Sequence, residues 1–420
     1  MIQMHVLILC LIKNIFYKIM KVYIDGNKYD ITNFIDKHPG GSSVLNNLEN
    51  EDDISQLYHS YHFNVNSNYM NSLIKQYKID DGKYDKFATF DDGDFYSIVR
   101  KRVEMKIKDH KAPLMWYIKV ILTIISIYFV SAYKCRNNFS EIICGLLTGL
   151  FSISLTFNIL HDSSHYAITK SYYINEMISK IIQVITLWNH YLWFRHHVYA
   201  HHSFTGDENK DPDVKNYKPL IAKRRNETFK YNLPQWCIIP ILGFLPGQYF
   251  GQVFYYYLFM SRNKLWGVPI DKNKVYSSCI EKVSYYITIL FILYMLNIRL
   301  LFSISYFTVL NFLYFMCIAP DHDMYESSII NHKCETTDWG ELQVRRSGNF
   351  ATNYPVVCQL FGGINYQIEH HLFPSVNHIY YPEISKIVEE TCREFNIPYQ
   401  SISWYDSIIS CLRTYKYFNK

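Results

Sequence analysis

The chain has 420 residues and a formal net charge of +5, with 49% hydrophobic, 17% aromatic and only 19% charged residues. Its mean hydropathy of −0.09 excludes a protein embedded in a membrane along its whole length, and its apolar content excludes a disordered chain. The small charge, without a long Lys/Arg run, argues against nucleic acid as a partner, and the ten cysteines form no Cys-x-x-Cys pair typical of a zinc site.

The first 80 residues divide into an apolar lead and a polar segment. Residues 1–20 are too short and, with Lys13 and Lys18, too charged for a membrane span. We interpret them as an interfacial helix or an inaccurate gene start, with a weak signal-anchor as the alternative. Residues 21–80 combine a strand-like run at 21–24 with turn signals, of which His38-Pro39-Gly40-Gly41 is the clearest. This pattern predicts a small soluble α+β domain.

A linker and a basic helix are predicted over residues 81–112. Residues 80–94 are acidic and contain two glycines, which is typical of a linker. The basic helix is predicted from Arg100 to Lys111, because Pro113 disfavours helical backbone at the residue before it.

Apolar runs close to the roughly 20 residues that a bilayer core requires begin after Pro113. They form two predicted helical hairpins, whose four spans cover residues 114–133, 139–160, 283–297 and 300–319. Two weaker apolar stretches, 174–194 and 233–260, contain charged residues, histidine or proline and are predicted to lie at the membrane interface. We therefore expect a mainly α membrane domain over residues 113–400, followed by a C-terminal tail at 401–420.

The two hairpins fix a predicted topology. They return the chain to its starting side and place the cationic segments 100–111 and 218–230 together, in line with the positive-inside rule. Both termini and the histidine clusters are predicted to be cytosolic. The glycosylation sequon at Asn226 should then remain unmodified.

Three histidine clusters lie at or near apolar segments. Residues four apart on a helix share a face, so His161 with His165, and His197 with His201, are each predicted to bind one ion. Adjacent histidines direct neighbouring imidazoles to two ions, or one to an ion and one to a carboxylate. Neutral imidazole suits iron, copper, zinc and nickel, and these histidines exceed the needs of one ion, which favours two metals. The candidate ligands are His161, His165, His197, His201, His202, His370 and His371.

Other interpretations apply to some residues. A single histidine at a membrane edge is usually an interfacial residue, but three clusters are not explained in this way, and ionisable groups beside membrane helices are typically functional. His190 and His196 are weaker candidates, because the register through His197 already supplies a ligand. Asp162 and Glu369 are expected to accept hydrogen bonds from imidazole N–H groups rather than to bind metal.

The three clusters read H-x3-H, H-x3-H-H and Q-x-x-H-H, and the chain from about residue 110 to 400 resembles the membrane fatty acyl desaturases. The segments 338–345 (DWGELQVR), 362–374 (GGINYQIEHHLFP) and 211–213 (DPD) carry the same resemblance. It implies a four-transmembrane-helix domain with a cytosolic cap and a di-iron site, completed by His322. Gln367 is the mark of front-end desaturases, which insert a double bond between an existing one and the carboxyl end. It joins the seven histidines as a candidate catalytic residue.

The segment 21–80 resembles cytochrome b5. His38 in His38-Pro39-Gly40-Gly41 matches the first haem ligand, and the glycines allow a tight turn beside the haem. The second ligand is expected at the end of the aromatic-x-x-aromatic-His pattern, which makes His62 the choice and His59 the reserve. Two histidine ligands leave haem b without an open position, which favours electron transfer.

The two resemblances together imply one reaction. An acyl CH2–CH2 pair, O2, two electrons and two protons give a cis alkene and two waters. Two non-haem irons supply the oxidant, and NADH supplies electrons indirectly through cytochrome b5 reductase and the tethered haem. The implied substrate is a fatty acyl chain, as a CoA or phospholipid ester, in the endoplasmic reticulum membrane.

Three alternatives remain at this point. A desaturase of sphingoid long-chain bases shares the haem fusion and the glutamine box. A lipid hydroxylase uses the same oxidant. From another class, a non-catalytic haem- or lipid-binding membrane protein would keep the scaffold without turnover, and the iron content of the purified protein separates it from the enzymes.

Overall fold

A computed structural model describes most of the chain. The described residues are 19–80, 84–186, 189–215, 299–331 and 335–418, with short pieces at 235–237, 263–265, 268–276, 287–288, 290–291 and 294–295. The predicted features at residues 1–18, 218–230 (with the Asn226 sequon) and most of 233–260 and 283–297 lie outside them.

The N-terminal part is a small α+β unit, as predicted from the alternation of strand and turn signals. Its four-stranded sheet has the order β3-β1-β2-β4, with β1 antiparallel to β2 and parallel to β3. The β1–β2 turn places Asp25 and Gly26 at positive φ, which suits a two-residue hairpin. The strands are β1 (Lys21–Ile24), β2 (Asn27–Asp30), β3 (Asp52–Asp53) and β4 (Lys78–Asp80), and the helices are α1 (Ser42–Asn46), α2 (Ser55–Tyr61) and α3 (Ser67–Lys75).

The rest of the described chain is mainly helical. The predicted basic helix begins earlier and ends earlier than expected, as α4 (Phe95–Lys106), because apolar residues such as Val99 and Val103 bury one face of it. The further helices are α5 (Leu114–Ala132), α6 (Asn138–Leu155), α7 (Tyr172–Thr186), α8 (His190–Trp193), α9 (Pro212–Lys215), α10 (Lys272–Tyr276), α11 (Leu300–Asp323), α12 (Trp339–Arg346), α13 (Pro355–Leu360), α14 (Gln367–Leu372), α15 (Tyr381–Glu394) and α16 (Trp404–Phe418). The short strands are β5 (Lys264–Leu265), β6 (Val268–Pro269), β7 (Asn349–Phe350) and β8 (Ser401–Ile402).

Three helices among the described residues are long and apolar enough to cross a membrane. They start at Leu114, Asn138 and Leu300, and they include three of the four predicted spans. The second and third pack closely, because Gly145 and Gly149 on α6 leave no room for a Cβ against the backbone of α11. The protein is therefore an integral membrane protein with a mainly helical membrane part.

The N-terminal unit packs directly on this helical part. Its core residues form one buried cluster with residues of the segment after α8, including Phe194, Val198 and Phe204. A buried ion pair joins Asp52 at the edge of the sheet to Arg195, whose side chains are 5% and 0% exposed. The unit thus has a defined position beside the histidine clusters.

Candidate metal and haem sites

Four segments bring the predicted histidines together. Helix α6 continues through a π-helical stretch, Thr156–His161, into the turn that carries His165. The second histidine segment is also π-helical, Phe194–His201, and α14 and the end of α11 supply the others. Gly362 and Gly363, both at positive φ, let the loop before α14 lie against Phe157 and His378, where a Cβ would collide. The two π-helical segments and the close packing of the loop before α14 thus bring together histidines that are distant in sequence.

The first cluster contains five imidazoles. His161, His165, His197 and His370 can each offer a nitrogen within 4.8 Å of the others. His202 Nε2 lies 3.0 Å from His370 Nε2 and 3.3 Å from His197 Nε2. His165 Nε2 is buried and has no hydrogen-bond partner among the described residues. This is a nitrogen-only donor set for one ion.

The second cluster lies beside the first and contains three imidazoles and one amide. His201 Nε2 and His322 Nε2 are 3.0 Å apart. Gln367 Nε2 lies 2.9 Å from His322 Nε2 and 3.1 Å from His371 Nε2, and its Oε1 has no partner among the described residues. Because amide O and N are not distinguished by shape, the side chain can present oxygen to the same point. The rings of His202 and His371 stack at 4.2 Å between the clusters.

The positions of the protons on two imidazoles of the second cluster favour a cation between them. His201 Nδ1 lies 3.1 Å from Asp211 Oδ1, and His322 Nδ1 lies 3.0 Å from the Arg346 carbonyl, so both Nδ1 atoms must donate their protons. In the neutral rings the two facing Nε2 atoms, which are 3.0 Å apart, then each carry a lone pair and no hydrogen. A metal ion bound between His201 and His322 would accept both lone pairs.

Burial keeps the other ligands neutral. It lowers the pKa of His202, His370 and His371 well below the usual range. At pH 7 each of these imidazoles therefore offers a lone pair, and the donor set fits two transition-metal ions that accept nitrogen.

Hydrogen bonds orient several of these rings. His371 Nδ1 donates to Gln343 Oε1 at 2.8 Å, and His370 Nδ1 lies 3.2 Å from the Tyr381 hydroxyl. Each bond fixes which nitrogen of the ring faces its cluster. Sequence reasoning did not assign these roles, although Gln343 lies in the 338–345 segment that carried the resemblance.

Some expected pairings differ in the structure. The rings of His197 and His201 lie nearly parallel at 5.5 Å, and their nitrogens serve different clusters rather than one ion. Asp162 accepts from an imidazole N–H as expected, but the donor at 2.7 Å is His378 Nδ1, which belongs to neither cluster. Glu369 accepts from the side chains of Asn349 and Tyr399 and so holds α14 in place.

The two weaker candidates bond elsewhere. His196 Nε2 lies 2.7 Å from Asp213 Oδ1, and His190 Nδ1 lies 3.1 Å from the Ser179 hydroxyl. Neither belongs to the metal-binding groups found among the described residues.

The N-terminal unit pairs His38 with His62. Their ring centres are 6.0 Å apart, with planes at 86°. His62 Nδ1 donates to the Tyr58 carbonyl at 2.7 Å and His38 Nδ1 to the Gly41 carbonyl at 3.2 Å, so both Nε2 lone pairs remain available. With both Nε2 lone pairs available, the two imidazoles would hold one haem iron between them and leave it no open position. These residues fit a haem, whereas His59 Nε2 is bonded to Asp25.

The fold and these sites define a membrane oxidoreductase with a haem-binding unit. Comparison with known proteins agrees: a cytochrome b5-like heme/steroid binding domain matches residues 20–83, and the fatty acid desaturase family matches residues 139–403. The chain belongs to the fatty acid desaturase family.

Three relatives show how far the similarity extends. An acyl-lipid (8-3)-desaturase of Physcomitrium patens is 28% identical, covering 89% of this chain and 82% of its own length. A probable Delta(5) fatty acid desaturase C of Dictyostelium discoideum is 26% identical, covering 90% and 87%. A Delta(8)-fatty-acid desaturase 2 of Arabidopsis thaliana is 22% identical, covering 94% and 89%. The similarity therefore includes both the haem-binding unit and the helical part.

Proposed function

We propose that the chain is a front-end desaturase of long-chain polyunsaturated fatty acyl chains. The observation that carries this proposal is the pair of imidazole clusters, the second of which contains Gln367, beside a bis-histidine haem pocket. The relatives' names, which specify acyl-lipid and fatty acid desaturation, support this substrate class.

In this proposal the histidine clusters hold two irons, and His38 and His62 hold haem b. The irons, when bound, supply the oxidising power needed to remove two hydrogens from an unactivated CH2–CH2 pair with O2, two electrons and two protons, giving a cis alkene and two waters. The chain's own residues keep Nδ1 of the ligand rings protonated through Asp211, Gln343 and the Arg346 carbonyl, so that the Nε2 lone pairs stay directed at the metals.

The setting in the cell belongs to the same proposal. We place the enzyme in the endoplasmic reticulum membrane with four spans, the fourth being residues 283–297. Both termini and the active site face the cytosol, where cytochrome b5 reductase passes electrons from NADH to the haem. The acyl substrate is an ester of CoA or of phospholipid.

Lipid analysis of yeast that expresses the chain and is fed defined unsaturated acids tests the proposal. We expect a new cis double bond between the existing ones and the carboxyl group, and no product from the matched His370→Ala variant. New sphingoid-base unsaturation or hydroxylated lipid without such a product would contradict it. Wild-type protein purified without iron would contradict it as well.

A further inference from the structure

One side chain of the haem-binding unit enters the first histidine cluster. Tyr61 is the last residue of α2 and directly precedes the haem ligand candidate His62. Its hydroxyl oxygen lies 2.6 Å from Nδ1 of His165, which is 104 residues away in sequence.

Which atom donates in this hydrogen bond follows from the state of the other nitrogen of the His165 ring. His165 belongs to the first cluster, and its Nε2 is buried and has no partner among the described residues, whereas its Nδ1 is in contact with Tyr61. A neutral imidazole that offers its Nε2 lone pair to a metal carries its proton on Nδ1. His165 Nδ1–H therefore donates to the Tyr61 oxygen.

The position of the phenol is held from both sides. Arg100 on α4 donates to the carbonyl oxygens of His59 and His62, at 2.9 and 2.7 Å, on either side of Tyr61 in the chain. The buried Asp52–Arg195 ion pair ties the same unit to the segment that carries the second histidine box. The contact therefore rests on packing between the two parts of the protein.

The first cluster also contains a comparable contact from within the helical part. His370 Nδ1 lies 3.2 Å from the hydroxyl of Tyr381. Two rings of one cluster thus meet a phenol oxygen at Nδ1, one supplied by the helical part and one by the haem-binding unit.

We propose that Tyr61 is a positioning residue for the metal centre: the haem-binding unit supplies the hydrogen-bond acceptor that orients His165, so the first metal site is incomplete without this unit. The proposal rests on the proposed function, which assigns iron to the clusters. It gives the unit a second role besides carrying electrons, because the first iron site reaches its full affinity for iron only when the haem-binding unit is docked.

Tyr61→Phe tests this, with Tyr23→Phe as the matched control. Tyr23 lies in the same unit and its hydroxyl also makes a 2.6 Å hydrogen bond, but as a donor to Glu51 at the surface. Both full-length variants are purified with haem and ⁵⁷Fe, and haem absorbance and thermal unfolding establish that they fold. The readouts are iron release to a chelator and the Mössbauer spectrum.

Loss of such an orienting partner typically weakens metal binding about 10–100-fold. We expect one of the two irons of Tyr61→Phe to leave faster by that factor and one iron signal to change, while Tyr23→Phe matches the wild type. Tyr381→Phe should change the same signal, because His370 belongs to the same cluster.

Unchanged iron release and spectra in Tyr61→Phe would overturn the proposal, and so would equal weakening of both irons, which would indicate general damage. In either case a wild type that still binds two irons and forms product leaves the proposed function standing. Wild-type protein without iron would overturn the proposed function and this proposal with it.

Discussion

The buried ion pair between Asp52 and Arg195 should control how firmly the haem-binding unit is docked. The two side chains are 5% and 0% exposed, and the guanidinium contacts both carboxylate oxygens. Asp52→Ala leaves the Arg195 charge buried without its partner, which costs about 3–5 kcal/mol. Arg195 keeps its bond to the Pro269 carbonyl and its place over the Tyr199 ring, so we expect the lower end, about 3 kcal/mol.

Hydrogen exchange of the full-length protein measures this quantity. The free energy of local opening is read from amide protection in α2 and in the segment Phe194–His201. A loss of about 3 kcal/mol corresponds to about a hundredfold lower protection. The double variant Asp52→Ala/Arg195→Met should recover most of it, because an apolar replacement of a buried ion pair is often nearly neutral.

The control is an ion pair that solvent already screens. Asp92 pairs with Lys101 at the surface, with side chains 97% and 61% exposed, so Asp92→Asn should leave protection unchanged. Protection in Asp52→Ala within a few-fold of the wild type would refute the reasoning. If amide protection in the double variant is as low as in Asp52→Ala, the loss of docking free energy does not come from the unpaired charge.

Three further predictions concern the cofactors and the topology. Gln367→Ala should keep much of its iron but lose most desaturation, because an amide is a weaker donor than imidazole, whereas His370→Ala should lose both. Iron analysis beside product yield checks this. Normal turnover by Gln367→Ala would show that the residue is not part of the site. His62→Ala should lose the haem absorbance and keep the iron, while His59→Ala keeps a low-spin haem; absorption spectra decide, and the opposite result would reverse the choice of ligand. Asn226 should carry no glycan when the chain is made in the endoplasmic reticulum, and a mobility shift removed by a glycosidase would contradict the cytosolic topology.

Much of the architecture was accessible from local sequence pattern. Alternating strand and turn signals predicted the N-terminal α+β unit, and apolar runs predicted three helices that the structure contains, because both patterns depend on residues close in sequence. The helix predicted at 100–111 instead occupies Phe95–Lys106, since burial of its apolar face, rather than its charge, sets its limits. Helix ends depend on neighbours that a local pattern does not contain.

The sequence by itself determined which side chains are available as metal and haem ligands. The number of clustered histidines predicted two ions, and the resemblance of residues 21–80 to cytochrome b5 selected His38 and His62 as haem ligands. The tertiary structure alone decided how the donors are shared. His197 and His201 go to different clusters, and Gln367 meets His322, which lies 45 residues earlier.

The contact between Tyr61 and His165 belongs wholly to the tertiary structure. Nothing in the spacing of residues 104 positions apart indicates that a phenol of one unit meets an imidazole of the other. Such a contact is set by how two separately patterned surfaces pack, with Asp52 meeting Arg195 beside it. Local pattern specifies the elements, whereas the free energy of burying their faces against each other selects which side chains meet.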